Sequence, residues 1–414
     1  MSREFRPLRI LITNNTLAYR AGSEMYVRDL AIALMKRGHF PVAYSPVLGQ
    51  VADELRDHTI PVIDDLGVMD AAPDIIHGHH HHETMTAMMR YPDTPAILVC
   101  HGWVPWEEEP FAHPNIMRHV AVDALCRERL LTTRGIEPAR VGMIHNFVDC
   151  ERFGTVRDLP EQPRRALVFS NYANDVPAAI REACEAAGIA EIDIAGSGSG
   201  RSIADPGTTL CEYDIVFAKA RAAMEAMASG CAVVVTHHAG LAGMVTSERL
   251  PALRSLNFGI RTMQSQRLSA ETVARELALY DRSDAARVTV WMREHAALDV
   301  AVDAWLETYD AALADWPDAR SRRSDKDLLR AGSDYLRSLA SVLKSARQNA
   351  AQSDSARARA ERLTAQLQAS LARAGEGDRL RAEVRRLEAA LEARDGETSG
   401  SRPRQQQPDE DAPD

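Results

Sequence analysis

Residues 8–46 read LRILITNNTLAYRAGSEMYVRDLAIALMKRGHFPVAYSP, and this stretch decides the fold. It begins with a short apolar run, LRILIT, that is typical of a buried parallel strand. A polar loop containing Gly22 follows, and apolar residues then recur at helical spacing until Gly38 ends the helix. A second strand, FPVAYSP, comes next. This order of strand, loop, helix and strand predicts a Rossmann-like α/β domain.

The same alternation occurs twice along the chain. Strand-like and helical segments follow one another to about residue 149, and a second series begins with ALVFSN at 166–171. The polar stretch TVRDLPEQPRR at 155–165 contains two prolines and predicts the interdomain linker. We therefore expect one Rossmann-like domain over 1–158 and another over 159–318.

The composition changes near residue 320, where β-branched residues become rare and Ala, Arg, Leu, Glu and Gln dominate. Apolar residues follow a 4-3-4 spacing at two places: Tyr335, Leu339, Val342 and Ala346, and again Leu380, Val384, Leu387 and Leu391. This pattern predicts a helical tail over 319–395, interrupted at Gly375 and Gly377. Either it forms a coiled coil that joins copies of the chain, or it packs as a hairpin on its own domain. Residues 396–414 are expected to be disordered.

Bulk properties exclude several classes of protein. A net charge of −10 and an aromatic fraction of 5% argue against nucleic-acid binding, which needs a basic face and often stacking rings. The six cysteines form no C-x-x-C pair, which is typical of reduced thiols. No signal-peptide segment precedes the first strand, and no apolar run approaches the roughly 20 residues of a membrane span. We expect a cytoplasmic protein whose contact with the inner face of a membrane, if any, is peripheral.

Two glycine-containing turns have the character of phosphate sites. Gly22 and Ser23 open the first helix, where bare backbone N–H groups suit a diphosphate. Gly196 and Gly198 lie in the turn GSGSGR that follows the strand EIDIA, where the backbone can approach a nucleotide. The structural alternatives are a simple strand-to-helix turn and a flexible loop.

Histidines follow two predicted strands of the first domain. The run HGHHHHE at 77–83 holds five imidazoles and a carboxylate, but adjacent loop residues point in different directions, which disfavours a metal site. A polar lining of a cleft is favoured, because open α/β sheets bind ligands at the carboxyl ends of their strands. His101 follows the next strand, where it is suited to hydrogen-bond a bound sugar or to orient an acceptor hydroxyl. Its structural alternative is a capped loop residue.

The strongest candidate site is residues 219–245, KARAAMEAMASGCAVVVTHHAGLAGMV. Glu225 lies on a helix with a close-packed face of Ala and Met, where its carboxylate can accept both hydroxyls of a ribose. Lys219 and Arg221 begin that helix, where the helix dipole adds to their positive charge. Together they can balance a diphosphate leaving group. The structural alternative is that all three side chains face solvent.

The order of these motifs resembles that of the family-4 glycosyltransferases over about residues 7–316. GSEMYVRDLAIALMKRGH is similar to their N-terminal glycine loop and helix, and DIIHGHH with ILVCHG to their paired histidine-bearing strand ends. GIEPARVGMIHNFVDCERF resembles their interdomain Asn-Gly-Val-Asp … Phe signature, with Phe147 at the Gly position. EAMASGCAVVV resembles the Glu-Ala-x-Ala-x-Gly-x-Pro-Val-Val segment of their nucleotide site.

This resemblance implies a GT-B fold, in which two Rossmann-like domains face a cleft. It implies transfer, with retention of configuration and without a metal or cofactor, from a nucleotide-sugar to a glycan or lipid-linked acceptor, as in the synthesis of surface polysaccharides. It matches Glu225 to the ribose carboxylate, Gly22 to the diphosphate loop, and His101 to the histidine beside the transferred sugar. Gly240 lies in AGLAGM, which corresponds to the family's Gly-Gly-x-x-Glu segment, and is assigned to donor binding.

Three departures from the family pattern bear on activity. The first Glu of the Glu-x7-Glu motif is replaced by Phe217, and Gly243 occupies the place of the loop Glu. The Arg and Lys expected after the first strand of the second domain are missing from FSNYANDVPAAIRE. We expect Lys219 and Arg221 to replace these cations. Two other functions stay open: a non-catalytic binding or scaffold protein of the same fold, and a sugar-nucleotide epimerase.

Overall fold

The structure is a computed structural model that describes residues 6–391 except 202, 204, 239, 265 and 375–380. For residues 367 and 369–374 it describes only the backbone. The chain divides into two compact units between Ser324 and Asp325. The first unit contains two parallel α/β sheets, and the second is helical.

The first sheet is that of the N-terminal domain. Its strands are β1 (Arg9–Thr13), β2 (Phe40–Tyr44), β3 (Val62–Ile63), β4 (Ile75–His79), β5 (Ala96–Cys100), β6 (Ile116–Ala121) and β7 (Val141–Met143). They are parallel and lie in the order β3-β2-β1-β4-β5-β6-β7. The connecting helices are α1 (Gly22–Lys36), α2 (Gln50–Asp57), α3 (His81–Arg90) and α4 (Ala124–Thr132). Apolar residues on both faces of β1 are fully buried, which explains its continuous apolar run.

The second sheet has five strands. They are β8 (Arg165–Phe169), β9 (Glu191–Ala195), β10 (Ile215–Ala218), β11 (Ala232–His237) and β12 (Gly240–Met244), in the order β12-β11-β10-β8-β9. Four are parallel, and β12 pairs antiparallel with β11. The helices are α5 (Ala178–Ala186), α6 (Pro206–Leu210), α7 (Ala220–Ala228), α8 (Leu250–Ser255), α9 (Ala270–Leu277) and α10 (Arg282–His295). Both sheets have the Rossmann-like character predicted from the sequence.

The chain crosses between the domains at two adjacent points. Phe147 lies in the core of the first domain, whereas Val148 lies in the core of the second. The amide of Val148 donates to the carbonyl of Ala296, and Leu298 N donates back to Val148, both at 2.9 Å. The sequence placed the linker at 155–165, but Leu159 already packs in the second domain. The crossing therefore lies earlier, at the signature that contains Phe147.

After the second crossing the chain returns to the first domain. Helix α11 (Leu298–Arg322) buries Trp305, Tyr309 and Trp316 in the core that also contains α1 and β1. The sequence had assigned residues up to 318 to the second domain. The aromatic stripe of α11 explains the difference, because it covers apolar surface of the first sheet that its own four helices leave open.

The second unit begins with α12 (Asp325–Ala374), a helix of 50 residues. Gln368 Nε2 donates to Glu388 Oε1 at 2.5 Å, which joins α12 to a second helical stretch at 381–391. The helical tail is thus confirmed, while its pairing with another copy stays a prediction. Gly375, Gly377, Leu380 and the stretch 396–414 lie outside the described residues. Among the described helices, none is long and apolar enough to span a bilayer.

Candidate functional site

The carboxyl edge of the first sheet carries a buried group of aromatic and imidazole rings. β4 and β5 are parallel neighbours, so His79 at the end of β4 and His101 just beyond β5 meet at this edge. The Nδ1 atom of His79 lies 2.5 Å from Nε2 of His101. Tyr26 of α1 packs edge-on against both rings, and its hydroxyl accepts a 2.9 Å hydrogen bond from the indole N–H of Trp305. His101 thus has a fixed position at the ligand-binding edge of an α/β sheet.

A buried ion pair supports the loop after β5. His80 Nε2 lies 3.4 Å from Glu108 Oε1, and both side chains are 6% exposed. Burial lowers the pKa of His80, but the hydrogen bond and charge of Glu108 outweigh this, so the pKa is raised. Burial alone would raise the pKa of Glu108, yet His80 brings it below its usual value. Glu108 also accepts a hydrogen bond of 2.8 Å from the backbone amide of His101. One carboxylate therefore contacts the residues that follow β4 and β5.

The histidine run is distributed among different partners. His77 Nδ1 lies 2.7 Å from the hydroxyl of Tyr309, and His81 packs edge-on against Trp106. His79 and His80 bind His101 and Glu108, as described above. In the part of the chain that the structure describes, no three metal-binding side chains converge. These imidazoles therefore contact different parts of the protein, and the polar lining of a cleft that the sequence favoured stays a prediction.

The first turn of α1 lies at the same edge. A Cβ atom added to Gly22 would meet no atom within 4 Å, so the space beside it is open. The N-cap residue, Ala21, provides no side-chain cap, while Ser23 Oγ donates to Glu24 at 3.0 Å. Burial raises the pKa of Glu24. The N-terminus of α1 thus has no side-chain cap and open space beside Gly22, and its role as a diphosphate site stays a prediction.

Lys219 lies at the carboxyl edge of the second sheet. It follows β10, and its ammonium group lies 5.0 Å from the ring centroid of Tyr172, which follows β8. Tyr172 in turn packs edge-on against His237, the last residue of β11. Burial, and then the charges of Lys219 and His238, lower the pKa of His237 to about 3. These side chains give the second domain its own cationic and aromatic cluster at the ligand-binding edge.

Three predicted donor-binding glycines are explained by contacts with the protein itself. Gly196 has φ 136°, and a Cβ there would lie 2.0 Å from the carbonyl of Ser170. A Cβ on Gly198 would lie 2.7 Å from Asn171 O, and one on Gly240 would lie 2.1 Å from Met263 O. Close backbone packing in the Cβ direction thus accounts for glycine at these positions, and their role in donor binding stays a prediction.

Arg221 and Glu225 do not have the free side chains expected from the sequence. Arg221 Nε donates to Glu225 at 2.8 Å, and its Nη2 pairs with Asp29 on α1 of the other domain. Asp29 is 1% exposed and also forms an ion pair with Arg28. Arg28 in turn forms a second ion pair with Glu54. The charge of Arg221 is therefore already balanced by two carboxylates. Glu225 does face the junction of the two domains, as a residue that binds a ribose would. Its carboxylate is already paired there with Arg221.

A second contact between the domains contains backbone strain. Arg254 of α8 donates to the carbonyl of Asn146 at 2.6 Å and to Asn257 at 2.8 Å. Asn257 Nδ2 donates to the carbonyl of Val122, at the end of β6. Asn257 and Phe258 have φ 48° and 55°. Left-handed residues of this kind cost about 1–3 kcal/mol each and cluster at functional sites.

Sequence reasoning missed Asp29 and Arg254. A signal for Asp29 was present, because MYVRDLA places it among residues that are buried all round the helix. Charged residues inside such a segment require partners. No equivalent signal marked Arg254, whose partners are backbone carbonyls and an amide brought together only by the fold. The replacement of a Glu by Phe217 also has a structural explanation, since Phe217 is buried within β10.

Comparison with known proteins agrees with this architecture. Residues 62–152 match the model of the family described as Glycosyltransferase Family 4. No curated protein matches the sequence significantly. A glycosyltransferase from Rickettsia africae aligns with a TM-score of 0.53 at 14% identity, over 75% of this chain and 99% of that one. HepE of Anabaena in complex with UDP aligns with a TM-score of 0.52 at 12% identity, over 74% and 100%. HepE in complex with UDP and glucose aligns with a TM-score of 0.50 at 14% identity, over 73% of this chain and 100% of that one.

Proposed function

We propose that this chain, a divergent relative of the family-4 glycosyltransferases with the GT-B fold, transfers a sugar from a nucleotide-sugar to a glycan or lipid-linked acceptor. One observation carries the proposal: both sheets have polar clusters at their carboxyl edges. These are His79 and His101 in the first domain and Lys219 and His237 in the second. Ligands of open α/β sheets bind at such edges. The family resemblance further supports retention of configuration and independence of metal ions.

Lys219 takes the role of the diphosphate cation in this proposal. The sequence offered Lys219 and Arg221 for that role, but Arg221 is neutralised by Asp29 and Glu225. Lys219 lies at the N-terminus of α7, where the dipole of the helix adds to its charge. Its ammonium group lies over the face of Tyr172, at the same edge of the sheet.

The acceptor side is proposed at the loop that follows His101. Trp103 and Trp106 are 38% and 36% exposed, and Glu108 fixes the end of that loop from inside. Indole faces pack against the apolar faces of sugar rings, and nearby carboxylates accept hydroxyl hydrogens. The loop therefore suits a carbohydrate acceptor next to the position of the transferred sugar.

Nucleotide binding is the first test of the proposed function. UDP is expected to raise the melting temperature in a panel that also contains GDP, ADP and their sugars, because HepE, which has the same fold, binds UDP. Lys219→Gln should weaken UDP binding about 10- to 100-fold, since a hydrogen bond to a charged group is lost. Lys36→Gln is the matched control, because Lys36 is an exposed lysine at the other end of α1.

An activity assay with the same nucleotide-sugars separates the alternatives. Acceptor-dependent release of UDP from a UDP-sugar would establish transfer, whereas interconversion of the donor without an acceptor would indicate an epimerase. Two observations fit the non-catalytic alternative: the ion pairing of Arg221, and Phe217 at the position of a family carboxylate. It predicts no release of nucleotide. A panel in which no nucleotide changes the melting temperature would refute the proposal.

Gly22 and Gly196 give opposite predictions for the same substitution. Gly22→Ala should raise the free energy of unfolding by about 1 kcal/mol or less, because the added methyl group meets nothing and the backbone is not left-handed. It should still weaken UDP binding if a diphosphate packs against this turn. Gly196→Ala should cost at least about 2 kcal/mol, from a positive φ and a clash with Ser170. Denaturant unfolding measures the stability of both variants, and UDP titration measures their affinity for UDP. Unchanged UDP affinity in Gly22→Ala would show that Gly22 is not part of the site.

A further inference from the structure

His79 and His101 share one hydrogen bond between ring nitrogens. Their nitrogens are 2.5 Å apart, their ring centroids are 4.7 Å apart and their planes differ by only 20°. Rings this close to coplanar, with nitrogens at that distance, meet edge to edge through one in-plane hydrogen. Because a neutral imidazole carries a single N–H, the position of that hydrogen fixes the tautomer of both residues.

Both rings are neutral near neutral pH. Burial, and then the charges of His77 and His101, hold the pKa of His79 well below its ordinary value. Burial lowers the pKa of His101 to about 4, although Glu108 opposes the shift. Two arrangements then remain. Either His79 Nδ1–H donates to His101 Nε2, or His101 Nε2–H donates to His79 Nδ1.

The surroundings of His79 distinguish these arrangements. His79 is fully buried, and its Nε2 atom has no hydrogen-bond partner among the described residues. If His101 were the donor, His79 would carry its hydrogen on Nε2, which would leave a buried N–H group unpaired. Unpaired buried N–H groups are rarer in proteins than unpaired acceptors. The hydrogen is therefore favoured on Nδ1 of His79.

The surroundings of His101 favour the same arrangement. Glu108 Oε2 accepts the backbone amide of His101, so a carboxylate lies beside this residue. Of the two ring nitrogens, Nδ1 is the closer to the residue's own backbone. A negative charge there favours a hydrogen on Nδ1 over a bare lone pair. The Nδ1 atom of His101 has no hydrogen-bond partner among the described residues and, unlike Nε2 of His79, is not one of their fully buried unpaired atoms.

We infer that His79 is a positioning residue that holds His101 as its Nδ1–H tautomer, so that His101 presents a hydrogen-bond donor to the ligand. Resting on the proposed function, this assigns His101 to an acceptor oxygen of the bound sugar or diphosphate. His101 then does not act there as a base, because its only lone pair is occupied by His79. Strand β4, through His79, thereby determines that His101 donates rather than accepts a hydrogen bond in its contact with the ligand.

Nitrogen NMR of the full-length protein without ligand tests the inference. With ¹⁵N-labelled histidine near neutral pH, Nδ1 of both His79 and His101 should resonate as hydrogen-bearing nitrogens and both Nε2 atoms as bare ones. Coupling across the hydrogen bond should connect His79 Nδ1 with His101 Nε2. His101→Gln and His79→Phe assign the signals by their loss. A hydrogen on Nε2 of His101, or a protonated ring, would overturn the inference.

The His79→Phe variant tests whether His79 is responsible. Once the donor is removed, the share of the Nε2–H form of His101 should rise, because Glu108 alone then favours the Nδ1–H form. His119→Phe is the matched control, since His119 is similarly buried on β6 and bonds to a backbone carbonyl, and the His101 signals should not change. An unchanged share of the Nδ1–H form in His79→Phe would contradict the positioning role. Since no ligand is used, failure of nucleotide binding would refute the proposed function and leave this result standing.

Discussion

Arg221→Met is expected to lower the free energy of unfolding by about 3–5 kcal/mol, because it removes one partner from a buried set of charges. Asp29 is 1% exposed and would keep only Arg28, while the carboxylate of Glu225 would lose its hydrogen bond. The pair also joins the two domains, so the loss should appear in their common unfolding transition. Urea denaturation of both proteins at neutral pH measures the difference.

Arg37→Met is the matched control for this substitution. Arg37 also forms two ion pairs, with Asp299 and Asp303, but its side chain is 38% exposed and these partners are 70% and 61% exposed, respectively. Exposed pairs of this kind contribute about 1 kcal/mol or less. A loss in Arg221→Met no larger than in Arg37→Met would show that the domains do not depend on the buried pair.

The pH dependence gives a second check on Arg221. Burial alone would raise the pKa of Asp29, but Arg221 and Arg28 outweigh burial and lower it. A carboxyl group with a lowered pKa adds stability above its unfolded pKa of about 3.9 and loses that contribution as the pH falls. The difference between wild type and Arg221→Met should therefore narrow below about pH 4. Asp29→Asn combined with Arg221→Met should also recover part of the loss, because it removes the uncompensated charge.

The strands and the order of the domains could be predicted because their signals are local. The apolar run of β1, the loop at Gly22 and the helix that ends before Gly38 lie within 39 consecutive residues, and the structure reproduces each. The crossing between domains was misplaced because Pro and polar residues at 155–165 look like a linker, whereas the real crossing is made by the apolar pair Phe147 and Val148. Val148 pairs with Ala297, which is distant in sequence.

The candidate site was less predictable because it depends on contacts between distant segments. The nitrogen pairing of His79 with His101 follows from the register of β4 and β5, and strand order makes such proximity foreseeable. The pairing of Arg221 with Asp29 was not foreseeable, since it joins residues 192 positions apart across two domains. A cation at a helix start looks the same in sequence whether a phosphate or a carboxylate faces it. In our proposal, only Lys219 keeps the role that the sequence assigned to both.

Trp305→Ala is expected to cost about 3–5 kcal/mol, because a fully buried indole leaves a cavity in the first domain. The substitution also removes the donor to Tyr26 and the edge contact with His77, whose ring centroid is 4.5 Å away. The effect should fall on the first domain, although residue 305 follows the second in sequence. Trp291→Ala is the control, since Trp291 is partly buried at the core of the second domain.

The two tryptophan substitutions together test how the site is built. Denaturant unfolding should show a larger loss for Trp305→Ala than for Trp291→Ala, and equal losses would mean that α11 is not integral to the first domain. Trp305→Phe should keep most of the ring volume while removing the hydrogen bond to Tyr26, so it should cost less than Trp305→Ala. Because Tyr26 packs against both His79 and His101, the phenylalanine variant should also perturb the histidine signals in a folded protein. A helix that follows the second domain would then be shown to support the carboxyl edge of the first sheet.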